Sequence, residues 1–286
     1  ADVDLWTGLR CVQARSDAGA AEVQLSDGRT LRARLLVAAD SRHSETRRAL
    51  GIGATLEDFG RTMLVCRMRH AGAHQHTAWE WFGHGQTLAL LPLTEHESSV
   101  VLTLPHTEIQ ALLAMDADAF NAALRTRFED RLGAMELSST RHAYPLVGVY
   151  PERFVAPRFA LVGDAAVGMH PVTAHGFNLG LLGVDLLALA IRQAQASGRD
   201  LADPALLAQY ERRLRRATRP LYLATRAIVQ VYTRDDLPGR LLRRTGLGLG
   251  ARLPLFRRLL AAGLTQNGSS LSSTRPISSA LRSLLR

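Results

Sequence analysis

The chain contains no lysine, so all 35 of its permanently basic side chains are arginines. Cysteine is nearly absent as well. Cys11 and Cys66 are too few and too far apart to build a metal knuckle or a disulfide framework, and a reducing, cytoplasmic compartment is the simplest home for them. No secretory h-region is present, and no uninterrupted apolar run reaches the roughly 18 residues that a spanning helix needs. No G-x-S-x-G occurs, so Ser44 and His43 lack the strand-elbow-helix setting of a hydrolase nucleophile. Acidic residues are missing from one region: residues 237–286 carry nine Arg and no Asp or Glu, leaving 26 Arg against 26 acids elsewhere. That basic stretch is rich in Leu and nearly free of aromatics, so it lacks the stacking platform of a nucleic-acid binder and suits an anionic membrane surface better.

What is present is a globular composition. With 286 residues and 47% hydrophobic side chains, the chain can bury one large or two modest cores. Residues 20–38 predict a hairpin that turns at Asp27-Gly28, followed by Leu35, Leu36 and Val37 as a strand buried on both faces. Residues 61–104 predict antiparallel strands in "TMLVCRMRH", "TAWEWF", "TLALLPL" and "SSVVLTL". A helix follows over 117–132, with Phe120, Leu124 and Phe128 at i, i+4 spacing and Gly133 as its stop. Asn178–Gln195 reads as an apolar helix. Asp203-Pro204 opens another that runs to about Tyr232, kinked at Pro220. Residues 266–286 hold seven Ser and predict a mobile tail.

The most informative stretch is "FALVGDAAVGMHPVTAHGFNLGLL", Phe159 to Leu182. Four apolar residues enter a sheet, Gly163 turns the backbone, and Asp164 follows at the strand's carboxyl end, where α/β folds open onto a ligand crevice. A carboxylate there accepts hydrogen bonds from sugar-like hydroxyls. A helix beginning near Gly176 aims free N–H groups and its positive dipole end at the same crevice, and Asn178 adds a side-chain donor. The plainer reading is an Asp N-cap and a Pro-Gly loop in an ordinary sheet protein.

This stretch resembles the second flavin motif of the FAD-dependent aromatic-ring monooxygenases (the p-hydroxybenzoate hydroxylase fold), most closely their ubiquinone-biosynthesis hydroxylases. That pattern is approximately GDAAHxxHPxxGQGxNxGxxD. Gly163, Asp164, Ala165, Ala166, His170, Pro171, Gly176, Asn178 and Gly180 match it, whereas Val167, Ala174-His175 and Gly183 depart from it. Upstream, "LLVAADSRHSETRRALGI" resembles the family's DG motif through Asp40, Ser44, Arg47 and Leu50-Gly51, with Ala38 and Ser41 in place of two glycines. Here the plainer reading is a strand followed by an Asp-capped helix. "WEWFGHGQTLALLPLTEHESSVVLTL" and "HAYPL" resemble the substrate-domain sheet and the strand leading back from it, so the likeness covers about residues 20–265.

The resemblance implies an α/β (α+β) fold: an incomplete Rossmann-like FAD-binding domain, an inserted antiparallel substrate domain and C-terminal helices. The expected divisions are 1–58 and 143–200 for the FAD side, 59–142 for the substrate side, 201–265 for helices and 266–286 for the tail. It implies FAD held by Asp40, Arg47, Gly163, Asp164, Ala165, His170, Pro171, Gly176, Phe177 and Asn178, with NAD(P)H as electron donor. The implied substrates are O2 and a lipophilic phenol or quinol, in ubiquinone biosynthesis, and no nucleic acid takes part. An anionic membrane surface or ubiquinone-pathway proteins are the implied partners, with peripheral placement on the inner face of the membrane. "HPVTAHGFN" most resembles the branch that hydroxylates demethoxyubiquinol at ring position 5. The open alternatives are a soluble aromatic hydroxylase or a prenyl-chain reductase on the same fold, or a non-catalytic piece without flavin.

The family's opening G-x-G-x-x-G unit, which cradles the FAD pyrophosphate, has no counterpart here. Gly246–Ala251 fits G-x-G-x-x-A, but it follows "RLLRRT", which is no buried strand, and no acid comes after it. The chain therefore reads as the latter two-thirds of a flavoenzyme, inactive by itself. His70, His74 and His76 read as a strand end and loop rather than a metal site, since no carboxylate or thiol accompanies them. Trp79 and Trp81 share one face of a strand and read as packing residues.

Overall fold

The computed structural model describes residues 3–83, 85–171 and 175–233. Three strands, β1 (Cys11–Ser16), β2 (Ala21–Leu25) and β3 (Thr30–Ala33), form an antiparallel sheet in that order. The predicted turn between the last two is present. The Asp27 carboxylate accepts the Arg29 N–H at 3.1 Å, and Gly28 takes φ +89°, a conformation that a side chain would strain.

β4 (Leu36–Ala38) leads into the helical turn α1 (Glu45–Ala49). The chain then runs through a strand of 17 residues, β5 (Ala54–His70), and on through β6 (Trp79–Gly83), β7 (Gln86–Thr94) and β8 (Glu97–Pro105). After two helices come β9 (Met135–Leu137) and β10 (His142–Pro151). The sheet order is β10-β5-β8-β7-β6, with β9 added beside β5. Strict alternation decides which face is buried. Leu64, Cys66 and Met68 of β5, Leu88 and Leu90 of β7, and Val100, Leu102 and Leu104 of β8 all point to one side. There they meet Ile109 and Leu112 of α2 (His106–Ala114) and Phe120 and Leu124 of α3 (Ala117–Arg127). Burial pushes the Cys66 thiol up to about 12, so it behaves as a small apolar side chain.

α3 ends five residues before the apolar spacing predicts. Phe128 is buried as expected, but at the C-cap. Glu129 and Asp130 then turn left-handed, and Arg125 holds the Asp130 carboxylate with two hydrogen bonds of 2.6 and 2.7 Å.

The third sheet positions the site. β11 (Val155–Ala156) pairs antiparallel with β12 (Phe159–Leu161), and β12 pairs parallel with β4, Phe159 opposite Leu36 and Leu161 opposite Ala38. β12 is the middle strand and fully buried. β4 lies at the edge and leaves Val37 40% exposed, so the burial on both faces expected of this strand does not hold.

Two long helices cover this sheet. α4 (Gly176–Ala196) starts at Gly176, where the sequence places the helix start and two residues ahead of the apolar run 178–195, and α5 (Pro204–Thr233) carries Pro220 within it. Asp203 caps α5 as predicted, its carboxylate accepting the N–H groups of Ala205 and Leu206 at 2.8 and 3.2 Å. Phe154, Phe159, Ala160, Leu161, Leu187, Ala190, Leu207, Tyr210 and Leu214 form the second core. By length and composition α4 is the single described helix able to cross a bilayer, with mean hydropathy 1.3. Its Leu187 and Ala190 are nevertheless buried within this core, and Gly183 and Ala194 are buried as well.

Candidate functional site

Both motif loops leave the carboxyl ends of adjacent parallel strands. Val162 N–H donates to Ala38 O at 3.0 Å, closing the ladder just before the two chains diverge. Beyond Val162 the backbone makes one 3-10 turn, Gly163–Ala165, with Gly163 at φ +59°. A Cβ on Gly180 would stand 3.5 Å from Gly163 Cα, so the first turns of α4 lie directly over the Gly163-Asp164 bend. The ends of two parallel strands, a tight turn and a helix start are thereby brought together beside Asp164.

The DG segment reaches Asp164 through a residue that the sequence reading passed over. Arg42 Nε donates to Asp164 Oδ2 at 2.9 Å, and Arg42 Nη1 donates to Val147 O at 3.0 Å on β10. Asp40 and Arg47, both singled out from sequence, support this segment from behind. The Asp40 carboxylate accepts the Thr46 N–H at 3.0 Å in the first turn of α1, but the N-cap is Ser44 rather than an Asp, its hydroxyl accepting the Arg47 N–H at 3.0 Å. Partial burial raises the Asp40 carboxyl, yet hydrogen bonds from Ser44 and Thr46 outweigh it and leave the group below its usual value. Arg47 is buried. Its Nη1 donates to Arg42 O at 3.2 Å, while its Nε finds no hydrogen-bond partner among the described residues. Burial lowers its guanidinium from the ordinary value.

His170 lies on the far side of the loop, its ring edge-on to Phe59 at 4.8 Å between centroids. Burial, then the charge of Arg42, bring its imidazole down to about 4, so it is neutral near pH 7. The neutral form is favoured in the folded protein, and that contribution is present above about pH 6.5 and lost as the pH falls toward about 4. His70 shifts in the same direction for the same first cause. Acidification across this window is therefore expected to lower the melting temperature, and His170→Gln is expected to reduce that slope. A slope identical to wild type in thermal melts from pH 7.5 to 4.5 would refute the assignment.

Ala165 is buried, and Pro171 is exposed. Phe177 and Asn178 open α4 with their side chains largely in solvent, Phe177 at 77%. His175, the N-cap, makes no capping hydrogen bond with its side chain, and a Cβ on Gly176 would meet nothing within 4 Å. The start of α4, the open space at Gly176 and the Asp164 carboxylate fit a hydroxyl-bearing, partly anionic cofactor such as FAD. The Val172–Ala174 part of the motif, residues 238–264, the Gly246–Ala251 sequence and the 266–286 tail lie outside the described residues.

Comparison with known proteins places the chain in a family. The family model for an FAD binding domain matches residues 2–222. The ubiquinone hydroxylase UbiM of Neisseria meningitidis is 43% identical over 264 residues, covering 92% of this chain and 57% of that protein. UbiL of Rhodospirillum rubrum, also a ubiquinone hydroxylase, is 41% identical over 256 residues, covering 89% of this chain and 59% of that protein. Among solved structures, Klebsiella pneumoniae HpxO complexed with FAD and uric acid superposes with a TM-score of 0.68 at 22% identity, covering 90% of this chain and 66% of that one. The chain belongs to the FAD-dependent monooxygenase family that includes the ubiquinone-biosynthesis hydroxylases, and it has their mixed α/β fold. It spans less than two-thirds of the length of these curated relatives.

Proposed function

We propose that the full-length protein is an FAD-dependent monooxygenase that hydroxylates a prenylated phenol or quinol ring in ubiquinone biosynthesis, with NAD(P)H as electron donor and O2 as oxidant. When bound, the flavin supplies the redox chemistry. The chain's own residues bind, orient and shield. Asp164 accepts hydrogen bonds from the cofactor's ribityl or ribose hydroxyls. The α4 N-terminus stabilises negative charge near Gly176. Neutral His170, packed on Phe59, shapes one side of the pocket.

The ring lies between this loop and the sheet face opposite α2 and α3. Met63, Val65, Ala89, Val101 and Thr103 occupy matched registers on that face and are only half-buried, which gives an apolar wall. The observation carrying the reading is the convergence of both flavin-type loops at the ends of β4 and β12, joined by the Arg42–Asp164 pair. Ring position 5 is the finer assignment, supported by the likeness of "HPVTAHGFN" to that branch.

The test is complementation: the full-length gene is expressed in a bacterium lacking its own ring hydroxylases, and the quinones are read by mass spectrometry. A prenylated quinone carrying the restored ring oxygen is expected. A product saturated in its prenyl chain, or hydroxylation confined to soluble phenols, would replace this reading.

Peripheral attachment at the inner membrane face is part of the proposal, supported by the sequence "PGRLLRRTGLGLGARLPLFRRLLAAGL" at 238–264. Each Arg near an anionic surface contributes about 1 kcal/mol, weakened by salt. Flotation with anionic liposomes is expected at low salt and lost at high salt. Flotation indifferent to both lipid charge and salt would point instead to a basic helix packed on the protein.

A further inference from the structure

The Arg42 side chain is held on three sides. Its Nε meets Asp164, its Nη1 meets Val147 O, and its stem lies against Gly168, where a Cβ would come within 2.8 Å of Arg42 Cγ. Gly168 is in turn fixed to β10, since its N–H donates to Val149 O at 3.0 Å and the Val149 N–H donates back at 2.8 Å. The side chain is 23% exposed and the Asp164 side chain 37%, so the pair is partly buried rather than on open surface. Exposed pairs hold their geometry poorly, whereas this guanidinium has its second donor committed to a backbone carbonyl and its stem trapped by a glycine. Arg42 engages Oδ2, and Oδ1 is the oxygen that a cofactor hydroxyl would meet.

We propose that Arg42 is the positioning residue of the cofactor site, fixing the Asp164 carboxylate at the mouth of β12 so that its second oxygen meets a cofactor hydroxyl, with Gly168 bare so that Arg42 can lie there. This rests on the reading that Asp164 binds FAD. Lysine cannot replace arginine in this role. A single ammonium on a flexible stem cannot hold Asp164 and Val147 O in one rigid fork. Arg42 thus ties the DG segment to β10 and to the Gly163-Asp164 turn, each more than 100 residues further along the chain.

The experiment uses the full-length protein stripped of flavin and titrated with FAD, following flavin fluorescence, alongside the melting temperature of each apoprotein. Arg42→Gln is expected to raise the FAD Kd about 10- to 100-fold, the range for one charge-assisted contact. Arg42→Lys is expected to fall between, and Gly168→Ala to follow Arg42→Lys because it displaces the guanidinium without removing it. With Asp164→Ala already present, Arg42→Gln is expected to add little, since both act through one carboxylate. Additive losses in the double variant, or variants that lower the apoprotein melting temperature while the folded fraction binds FAD as wild type does, would overturn the positioning role. If Arg42→Gln binds FAD like wild type, only this proposal fails. If the wild-type protein itself takes up no FAD, the functional reading fails and carries this one with it.

Discussion

Asp164→Ala in the full-length protein is expected to lower FAD affinity about 10- to 100-fold or more and to yield a protein that purifies largely colourless. The carboxylate stands directly after the Gly163 turn, at the mouth of a fully buried strand. Each charge-assisted bond from a ligand hydroxyl is worth about 1.5–3 kcal/mol, and about 1.4 kcal/mol is a factor of ten. The substitution also strips Arg42 of its carboxylate partner, so part of any loss could reside in folding. Asp164→Asn separates the two effects, because the amide keeps shape and one acceptor while losing charge. The ratio of bound flavin to protein after gel filtration is the measurement, with apoprotein melting as the control. Stoichiometric, tightly held FAD in the Ala variant would show that Asp164 does not bind the cofactor.

The sequence revealed those parts of this molecule that rest on short-range pattern. Alternation located β5 to β8, because every second side chain faces α2 and α3. Asp27-Gly28 and Asp203-Pro204 located a turn and a cap, because each satisfies backbone groups within a few residues. The Gly163-Asp164 turn and the α4 start were legible for the same reason. What depends on distant chain was not. Arg42 meets Asp164 across 122 positions, and nothing in "DSRHS" distinguishes a buried fork from a solvated arginine. Phe59 against His170 is a similar case, since the two lie 111 positions apart, one on β5 and the other in the loop beyond β12. The early end of α3 was hidden because Phe128 satisfies the apolar period from the C-cap as well as it would from within the helix. Leu36 and Val37 are as apolar as a central strand, but they sit at the edge of the sheet, and edge position is a property of topology that three residues cannot encode.

The largest stability loss is expected at Phe159. Its ring is fully buried at the start of β12, opposite Leu36 on one side and Ala156 on the other, within the core that also holds Leu187 and Tyr210. Truncation to Ala removes an entire aromatic ring from a strand that is hydrogen-bonded on both edges and therefore cannot slide to fill the space. The expected cost is about 3–5 kcal/mol, the usual range for Phe→Ala in a tightly packed core. Phe159→Leu keeps most of the volume and is expected to cost less than about 1.5 kcal/mol. The sheet core beneath α2 and α3 is built from other residues, with Trp81 set edge-on to Phe128 at 5.6 Å, so tryptophan fluorescence reports mainly on that side. Urea unfolding followed by circular dichroism as well as fluorescence is therefore expected to show the circular dichroism transition moving further than the fluorescence one in Phe159→Ala. Two transitions moving together would mean that both cores unfold as one cooperative unit, with the same total cost. A loss below about 1 kcal/mol by either probe would contradict the placement of Phe159 in the strand from which Gly163 and Asp164 emerge.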